Sequence, residues 1–200
     1  MRHHKAILTG ANASEPWSRH VASLALPRRA ISLPRDPEPN LEFQFFVELW
    51  GDEESLRECV TNWPFAARAW LVEEHVPLVY ERSWPSGTPS PGVRMVSSLT
   101  RCENLTKEAF AAHWLGPHVE VALSYTVPFW HYNQNVVREA LTPNSPEDGF
   151  VGMHFRTAER MRARWADHPT EAARGAADAK RFMAEAHAPP MVAIETVWSD

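Results

Sequence analysis

The sequence has few cysteines and no long apolar run, and both observations limit the classes of protein to which it can belong. Its 200 residues include two cysteines, Cys59 and Cys102, which lie far apart and form no CxxC pair. This pattern excludes a disulfide framework or a zinc knuckle and favours reduced thiols. The start, MRHHKAILTG, lacks an apolar region of signal-peptide length, and no stretch of about 18 uncharged apolar residues occurs. We therefore expect a soluble, cytoplasmic protein with no membrane partner.

Excess positive charge and the common catalytic motifs are also missing. The formal net charge is −5, and the Lys and Arg residues are interspersed with acids, so we expect no nucleic-acid partner. The sequence contains no GxGxxG, P-loop, GxSxG or HExxH motif, which are the usual signatures of nucleotide, serine-nucleophile and zincin chemistry. Acid/base chemistry without cofactor or metal, or ligand binding, remains.

Tryptophan and histidine, in contrast, are abundant. The chain has nine tryptophans and ten histidines. Both side chains combine an apolar body with a polar group, which suits a pocket for an aromatic, hydroxylated ligand. Core packing and surface histidines are the alternative for any one of them.

The two halves of the chain resemble each other. FFVELWGDEESL (45–56) and FVGMHFRTAERM (150–161) both read as a strand, a turn and a helix start, at an offset of 105 residues. Further along the two halves the offset grows to 114 residues, so that Glu81 matches Glu195; each lies in a β-rich run. An aromatic residue three positions before a histidine also recurs, as Trp17 with His20 and as Phe110 with His113.

Each half therefore predicts the ferredoxin-like order of strand, helix, strand, strand, helix, strand. In the second half we expect strands near 93–101, 129–138, 148–156 and 190–198, and helices near 106–122 and 157–186. The Pro/Gly/Ser-rich segment 85–92 predicts a linker, between a degenerate half at 1–84 and a complete half at 93–200. The stretch 27–40, PRRAISLPRDPEPN, predicts a loose segment in place of a clear second strand.

Four segments of the second half resemble the EthD domain, a member of the dimeric α+β barrel superfamily. They are LTKEAFAAHWLGPHVEVA (105–122), FWHYNQNVV (129–137), EDGFVGMHF (147–155) and MVAIETV (191–197). The family's histidine-tryptophan pair and second histidine fall on His113, Trp114 and His118. Its strand aromatic and asparagine fall on Tyr132 and Asn135. The resemblance implies two ferredoxin-like halves whose antiparallel sheets pack as a dimeric α+β barrel within one chain.

His113 and His118 are the first candidates for chemistry. On a continuous helix, residues five apart lie roughly 140° apart, so the two rings do not form the chelating pair of a zinc helix. Gly116-Pro117 breaks the helix, so both imidazoles can face one cavity. An imidazole exchanges protons near neutral pH, and we expect the pair to share the acid and base roles.

Two strands supply further candidates. Alternation along FWHYNQN places Phe129, His131, Asn133 and Asn135 on one face, with Trp130, Tyr132 and Gln134 on the other. Tyr132 and His131 are catalytic candidates. Trp114, Phe129, Asn135, Phe150 and His154 are substrate-binding candidates. For a carboxylate substrate, Arg94, Arg101 and Arg138 are possible anchors.

These observations lead to three functional hypotheses. The first is a cofactor-independent lyase, a decarboxylase or dehydratase, that acts on a small aromatic, phenolic or polyketide-like compound. The second is a non-catalytic accessory or aromatic-ligand-binding protein of a xenobiotic or aromatic degradation pathway. The third is a monooxygenase, either cofactor-free or dependent on a haem held by a histidine in an open apolar pocket. We also expect that the fused chain can form a homodimer.

Overall fold

The structure is a computed structural model that describes residues 4–10, 17–32, 45–124, 129–184 and 190–198. The first half contains β1 (His4–Gly10), α1 (Trp17–Ser23), β2 (Arg28–Ser32), β3 (Phe45–Gly51), α2 (Glu53–Thr61) and β4 (Arg68–Leu78). The second half contains β5 (Val93–Leu99), α3 (Lys107–Leu115), α4 (Pro117–Ser124), β6 (Phe129–Ala140), β7 (Gly149–Phe155), α5 (Ala158–Ala166), α6 (Pro169–Ala179) and β8 (Met191–Trp198). No helix among the described residues is long and apolar enough to span a membrane.

All eight strands form one closed antiparallel barrel. The strand order is β1-β3-β2-β8-β5-β7-β6-β4, so each half contributes four neighbouring strands. The halves join where β2 pairs with β8 and where β4 pairs with β6. This confirms the predicted fold class: an α+β chain with two ferredoxin-like halves whose antiparallel sheets pack as a barrel. The boundaries at 1–84, 85–92 and 93–200 stay a prediction.

Strand alternation sorts the side chains into the barrel interior and two outer faces. The outer face of the first half packs under α1 and α2 through Leu8, Trp17 and Leu56. The outer face of the second half packs against Phe110, Trp114 and Phe182. A third apolar cluster fills part of the interior and contains Ile7, Phe46, Trp70, Val72, Val96, Val137, Phe150, Met191 and Ala193.

The structure corrects the repeat offset by one residue. β1 and β5 have the same length and the same burial pattern, and they pair with β3 (45–51) and β7 (149–155) in matching register. The offset between these strands is therefore 104, and Phe150 corresponds to Phe46 rather than Phe45. A slip of one residue matters, because it moves a side chain to the other face of a sheet.

The expected match between Glu81 and Glu195 is also wrong. Lys5 of β1 lies opposite Val72, and Arg94 of β5 lies opposite Ala193. Glu74, two residues after Val72, is therefore the counterpart of Glu195. The later offset misled because β4 ends at Leu78, so Glu81 follows the strand.

The expectation of a loose segment over 27–40 is wrong for its first part. Residues 28–32 form β2, which pairs with both β3 and β8. The strand is hidden in the sequence because two arginines occupy it. Arg29 joins a buried ion network, and Arg28 lies over the ring of Trp198. Residues 33–40 lie outside the described part of the chain.

Candidate functional site

The sheet separates residues that the sequence analysis assigned to one pocket. His113, Trp114 and His118 lie on the helices, and Tyr132 faces them from β6. The barrel interior holds His131, Asn135, Phe150 and His154 instead. Phe129 lies in β6, but its side chain is outside the described part. One shared pocket is therefore wrong, because neighbouring residues of a strand face opposite sides of the sheet.

The break between α3 and α4 forms where the sequence predicted it. Thr106 caps α3, and its hydroxyl accepts a hydrogen bond from the Ala109 amide at 3.2 Å. α3 ends before Gly116, and Pro117 is the first residue of α4, a position that tolerates proline. The expected helix over 106–122 is therefore two helices. His113 lies in the last turn of α3, and His118 in the first turn of α4.

Asp178 on α6 joins the two histidines. His113 Nε2 lies 3.0 Å from Asp178 Oδ1, and His118 Nδ1 lies 2.8 Å from Oδ2. A carboxylate only accepts hydrogen bonds, so both facing nitrogens donate. The other nitrogen of each ring, His113 Nδ1 and His118 Nε2, has no hydrogen-bond partner among the described residues. Each ring is thus oriented by one nitrogen and keeps the other for chemistry.

Burial and hydrogen bonding tune this triad of His113, Asp178 and His118. The Asp178 carboxyl is mostly buried, which opposes ionisation, but hydrogen bonds from both histidines outweigh burial and lower its pKa. Burial lowers the pKa of His118, against an opposing contribution from Asp178. His118 is therefore neutral at pH 7 and can act as a base. The side chains of His113 and His118 are 24% and 17% exposed, so they stay accessible.

Aromatic rings form the wall behind the triad. Phe182 stacks on His113 with ring centroids 5.2 Å apart, and it meets His118 edge-on at 4.8 Å. Trp114 is buried against Phe110, on the sheet side of α3. Tyr132 is also buried; its hydroxyl bonds with Trp114 and Gln134, and burial raises its pKa. Tyr132 therefore contacts the helix that carries His113, and its catalytic role stays a prediction.

A balanced network of buried charges occupies the barrel interior. Lys5 Nζ lies 2.7 Å from Glu74 Oε1, and the equivalent pair in the second half, Arg94 and Glu195, is separated by 2.8 Å. Arg29 and Glu48 add a third pair at 3.0 Å. These cations hold the pKa of the glutamates below their ordinary value. Three cations thus offset three anions.

The network fixes several predicted site residues in structural roles. Asn135 accepts a hydrogen bond from Lys5 at 2.7 Å and donates to the Phe150 carbonyl. Phe150 belongs to the inner apolar cluster. Arg94 is fully buried, so it is not an anchor for a substrate carboxylate.

The other two candidate anchors are on the surface. Arg101 pairs with Asp148, and Arg138 lies 4.0 Å from Glu53. Neither of these two arginines pairs with the triad. Arg181 does, because its exposed guanidinium lies 4.0 Å from Asp178 Oδ1, so an arginine is available to a carboxylate substrate at that site.

Above the network, five rings form a group that we call the mouth cluster. Its members are Tyr80, Trp84, Trp130, His131 and His154. Trp130 belongs here, and not with Tyr132 as expected, because a register shift between Phe129 and His131 makes it an extra residue in β6.

A metal ion or a haem would each need a particular set of side chains at this site. Among the described residues, no group of three or more His, Cys, Asp or Glu side chains could hold a metal ion. A haem would need open apolar space beside a free histidine. Phe110, Trp114 and Phe182 fill the space between helices and sheet, each at most 1% exposed. Among the described residues, a haem therefore does not fit between the helices and the sheet beside the triad.

Sequence reasoning missed Asp178, which organises the triad. A physical signal was available, since Asp178 lies in the last turn of α6, where the helix dipole disfavours an anion. Two nearby imidazoles compensate for this placement. It also missed Tyr80, Trp84 and Glu195 as neighbours of the strand histidines, because these contacts join distant parts of the chain.

Comparison with known proteins identifies the fold. No protein-family profile and no curated protein sequence matches this chain. Among solved structures, an anthrone oxidase-like protein matches with a TM-score of 0.59 and 12% identity, over 98% of this chain and 91% of that one. A proposed monooxygenase from Fusobacterium nucleatum matches at 0.54 and 9%, over 98% and 92%. A mutant chlorite dismutase from Candidatus Nitrospira defluvii matches at 0.50 and 10%, over 96% and 90%. These likenesses place the chain in the dimeric α+β barrel fold.

Proposed function

We propose that the chain is a cofactor-independent enzyme that transfers protons on a small aromatic, phenolic or polyketide-like compound at His113, Asp178 and His118. The observation that carries this proposal is the shared carboxylate. At 3.0 and 2.8 Å it orients two imidazoles while each keeps a free ring nitrogen. General acid/base catalysis needs this arrangement, a positioned group that exchanges protons near neutral pH. An EthD-like relationship and a cytoplasmic location belong to the same proposal.

The reaction that fits best is a lyase step, decarboxylation or dehydration. A neutral imidazole accepts the phenolic proton, and an imidazolium donates a proton to the ring carbon that loses CO₂. Dehydration uses the same two groups, since one removes a proton and the other protonates the leaving hydroxyl. Phe182, which packs against both imidazoles, offers an apolar surface beside the reacting ring.

A second candidate is cofactor-free monooxygenation, which the comparisons favour. Two proteins of the same fold are described as anthrone oxidase-like and as a proposed monooxygenase. The first step is shared, because deprotonation of a phenol produces the electron-rich ring that reacts with oxygen. The alternative of an accessory or binding protein differs from both, since it predicts affinity for aromatic compounds without product.

The test is a mass-spectrometric screen of phenolic acids and polycyclic phenols with purified protein and no added cofactor, with and without oxygen. Loss of CO₂ or water in both atmospheres supports the lyase. Addition of oxygen only in air supports the monooxygenase, and binding without product supports the accessory role.

Variants link the activity to the triad. We expect H113A and H118A each to lower turnover by about 10²- to 10⁴-fold. His20→Ala is the matched control, because His20 also contacts aromatic rings, Trp63 and Phe65, but lies in the first half. Folded H113A and H118A proteins with full turnover would refute the proposal.

A further inference from the structure

Residues 79–92, which join the two halves, form a strap over one end of the barrel. The strap is bound to β8, since the Gly87 amide donates to the Val197 carbonyl at 2.9 Å and the Ser90 amide donates to the Glu195 carbonyl at 2.7 Å. It is bound to β7 through His154 Nε2, which donates to the Pro91 carbonyl at 2.8 Å. The strap therefore closes this end of the barrel, and it contributes Tyr80 and Trp84 to the mouth cluster.

His131 lies under this strap with both ring nitrogens unpaired. Its residue is 6% exposed, and neither nitrogen has a hydrogen-bond partner among the described residues. Buried polar groups are nearly always hydrogen-bonded, so an imidazole without a partner needs an explanation. Burial, with Arg94 and Arg29 nearby, lowers the pKa of His131 to about 3, so the ring is neutral, with one donor and one acceptor.

The surroundings of His131 are aromatic. Tyr80 meets it edge-on at 5.1 Å and stacks on Trp84 at 5.4 Å, while Trp130 lies 5.0 Å from Tyr80 and 5.3 Å from Trp84. Arg94 and Glu195 are paired with each other, and two further guanidiniums lie over the outer rings: Arg82 over Trp84 at 5.7 Å and Arg156 over Trp130 at 4.7 Å. Tyr80 itself donates its hydroxyl to Glu195 at 2.9 Å, and burial raises its pKa to about 12. Flat rings and an imidazole without a hydrogen-bond partner among the described residues suit a planar aromatic ligand that carries a hydroxyl.

We propose that the mouth cluster binds a neutral phenol, whose ring packs among Tyr80, Trp84 and Trp130 and whose hydroxyl pairs with a ring nitrogen of His131. This site lies inside the barrel, on the opposite face of the sheet from the triad. It is therefore separate from the proposed catalytic site.

The experiment titrates phenol into the full chain carrying ¹⁵N-labelled histidine, with toluene as the ligand that lacks the hydroxyl. Phenol is expected to shift the ring ¹⁵N resonances of His131 and to bind the wild type at least about tenfold more tightly than toluene, which corresponds to about 1.4 kcal/mol. Equal affinity for the two ligands, or no shift at His131, overturns the proposal without any variant.

Variants then separate the two sites. His131→Leu is expected to weaken phenol binding at least about tenfold and to remove the preference over toluene. His75→Leu, on an exposed histidine of β4, is the matched control and leaves both affinities unchanged. The double variant H113A/H118A keeps the shift at His131, even if it abolishes turnover. The site inside the barrel is refuted if phenol no longer shifts the His131 resonances in H113A/H118A and still shifts the resonances of other histidines in H131L.

Discussion

Asp178 determines which nitrogen of each histidine carries the proton. It bonds to Nδ1 of His118 and to Nε2 of His113, and both of these nitrogens must donate. Neutral His118 is therefore expected in the Nδ1–H form, with its lone pair on Nε2. In D178N, the amide offers one acceptor oxygen and one donor nitrogen. One of the two histidines must then turn a lone pair toward the amide, so its outward nitrogen gains the proton and can no longer act as a base.

The size of this effect follows from the hydrogen bonds. A bond to a charged group contributes about 1.5–3 kcal/mol, so the carboxylate favours the Nδ1–H form of His118 by about 10- to 150-fold. Asp178 is 7% exposed, which limits screening by water. The pKa of His118 responds as well. Asp178 raises it against the larger effect of burial, so D178N is expected to lower it further.

The assay is ¹⁵N NMR of the histidine rings at about pH 8, where His118 is neutral because its pKa is lowered from the ordinary value. The wild type should show His118 protonated at Nδ1, and D178N should show one histidine inverted. The reasoning is refuted if wild-type His118 carries its proton on Nε2 at this pH.

Two further predictions concern stability. Gly149→Ala should lower the free energy of unfolding in urea by about 1–3 kcal/mol, because the added Cβ would lie 2.8 Å from Cη2 of the buried Trp114 ring. Gly51→Ala is the control: its Cβ would meet the flexible end of Leu26 at 3.2 Å, so its free energy of unfolding should stay within about 1 kcal/mol of the wild type. The three glutamates of the barrel interior, Glu48, Glu74 and Glu195, have lowered pKa values in the folded protein. Their contribution to the free energy of unfolding is therefore complete above about pH 4.5 and is lost as the pH falls toward their folded pKa values, by up to about 4 kcal/mol per pH unit. A urea unfolding midpoint that stays constant from pH 5 to about pH 3 would contradict this.

The architecture could be predicted because its signals are local. Alternating apolar residues, caps such as Thr106 and the Gly116-Pro117 break each act within a few positions of the chain. Because the second half carries these signals in order, its strands begin and end close to the expected residues. The single helix expected at 157–186 is wrong: it is two helices, α5 and α6, because His168-Pro169 interrupts it, and the second ends at Ala179. Two such units in one chain then predict a closed barrel, since each sheet needs a cover for its second face.

The candidate site could be predicted only in part, because its partners are distant in sequence. His113 and His118 were identified from their helix, but Asp178 lies 60 residues beyond His118. β2 was hidden because Arg28 and Arg29 interrupt the apolar pattern that marks a strand. The face of Trp130 was misjudged because a bulge shifts alternation by one residue, and nothing in FWHYNQN marks that bulge.

The two halves also differ in a way that confines the proposed chemistry to the second. Both keep a buried aromatic residue three positions before a histidine, Trp17 before His20 and Phe110 before His113. In the second half a carboxylate from α6 reaches the imidazole. In the first half His20 packs edge-on against Trp63, and it has no carboxylate partner in the described part of the chain. Without a carboxylate to orient the ring, His20 lacks the element that prepares His113 and His118 for proton transfer. The proposed acid/base pair therefore lies in the second half, and the described strands of the first half close the barrel.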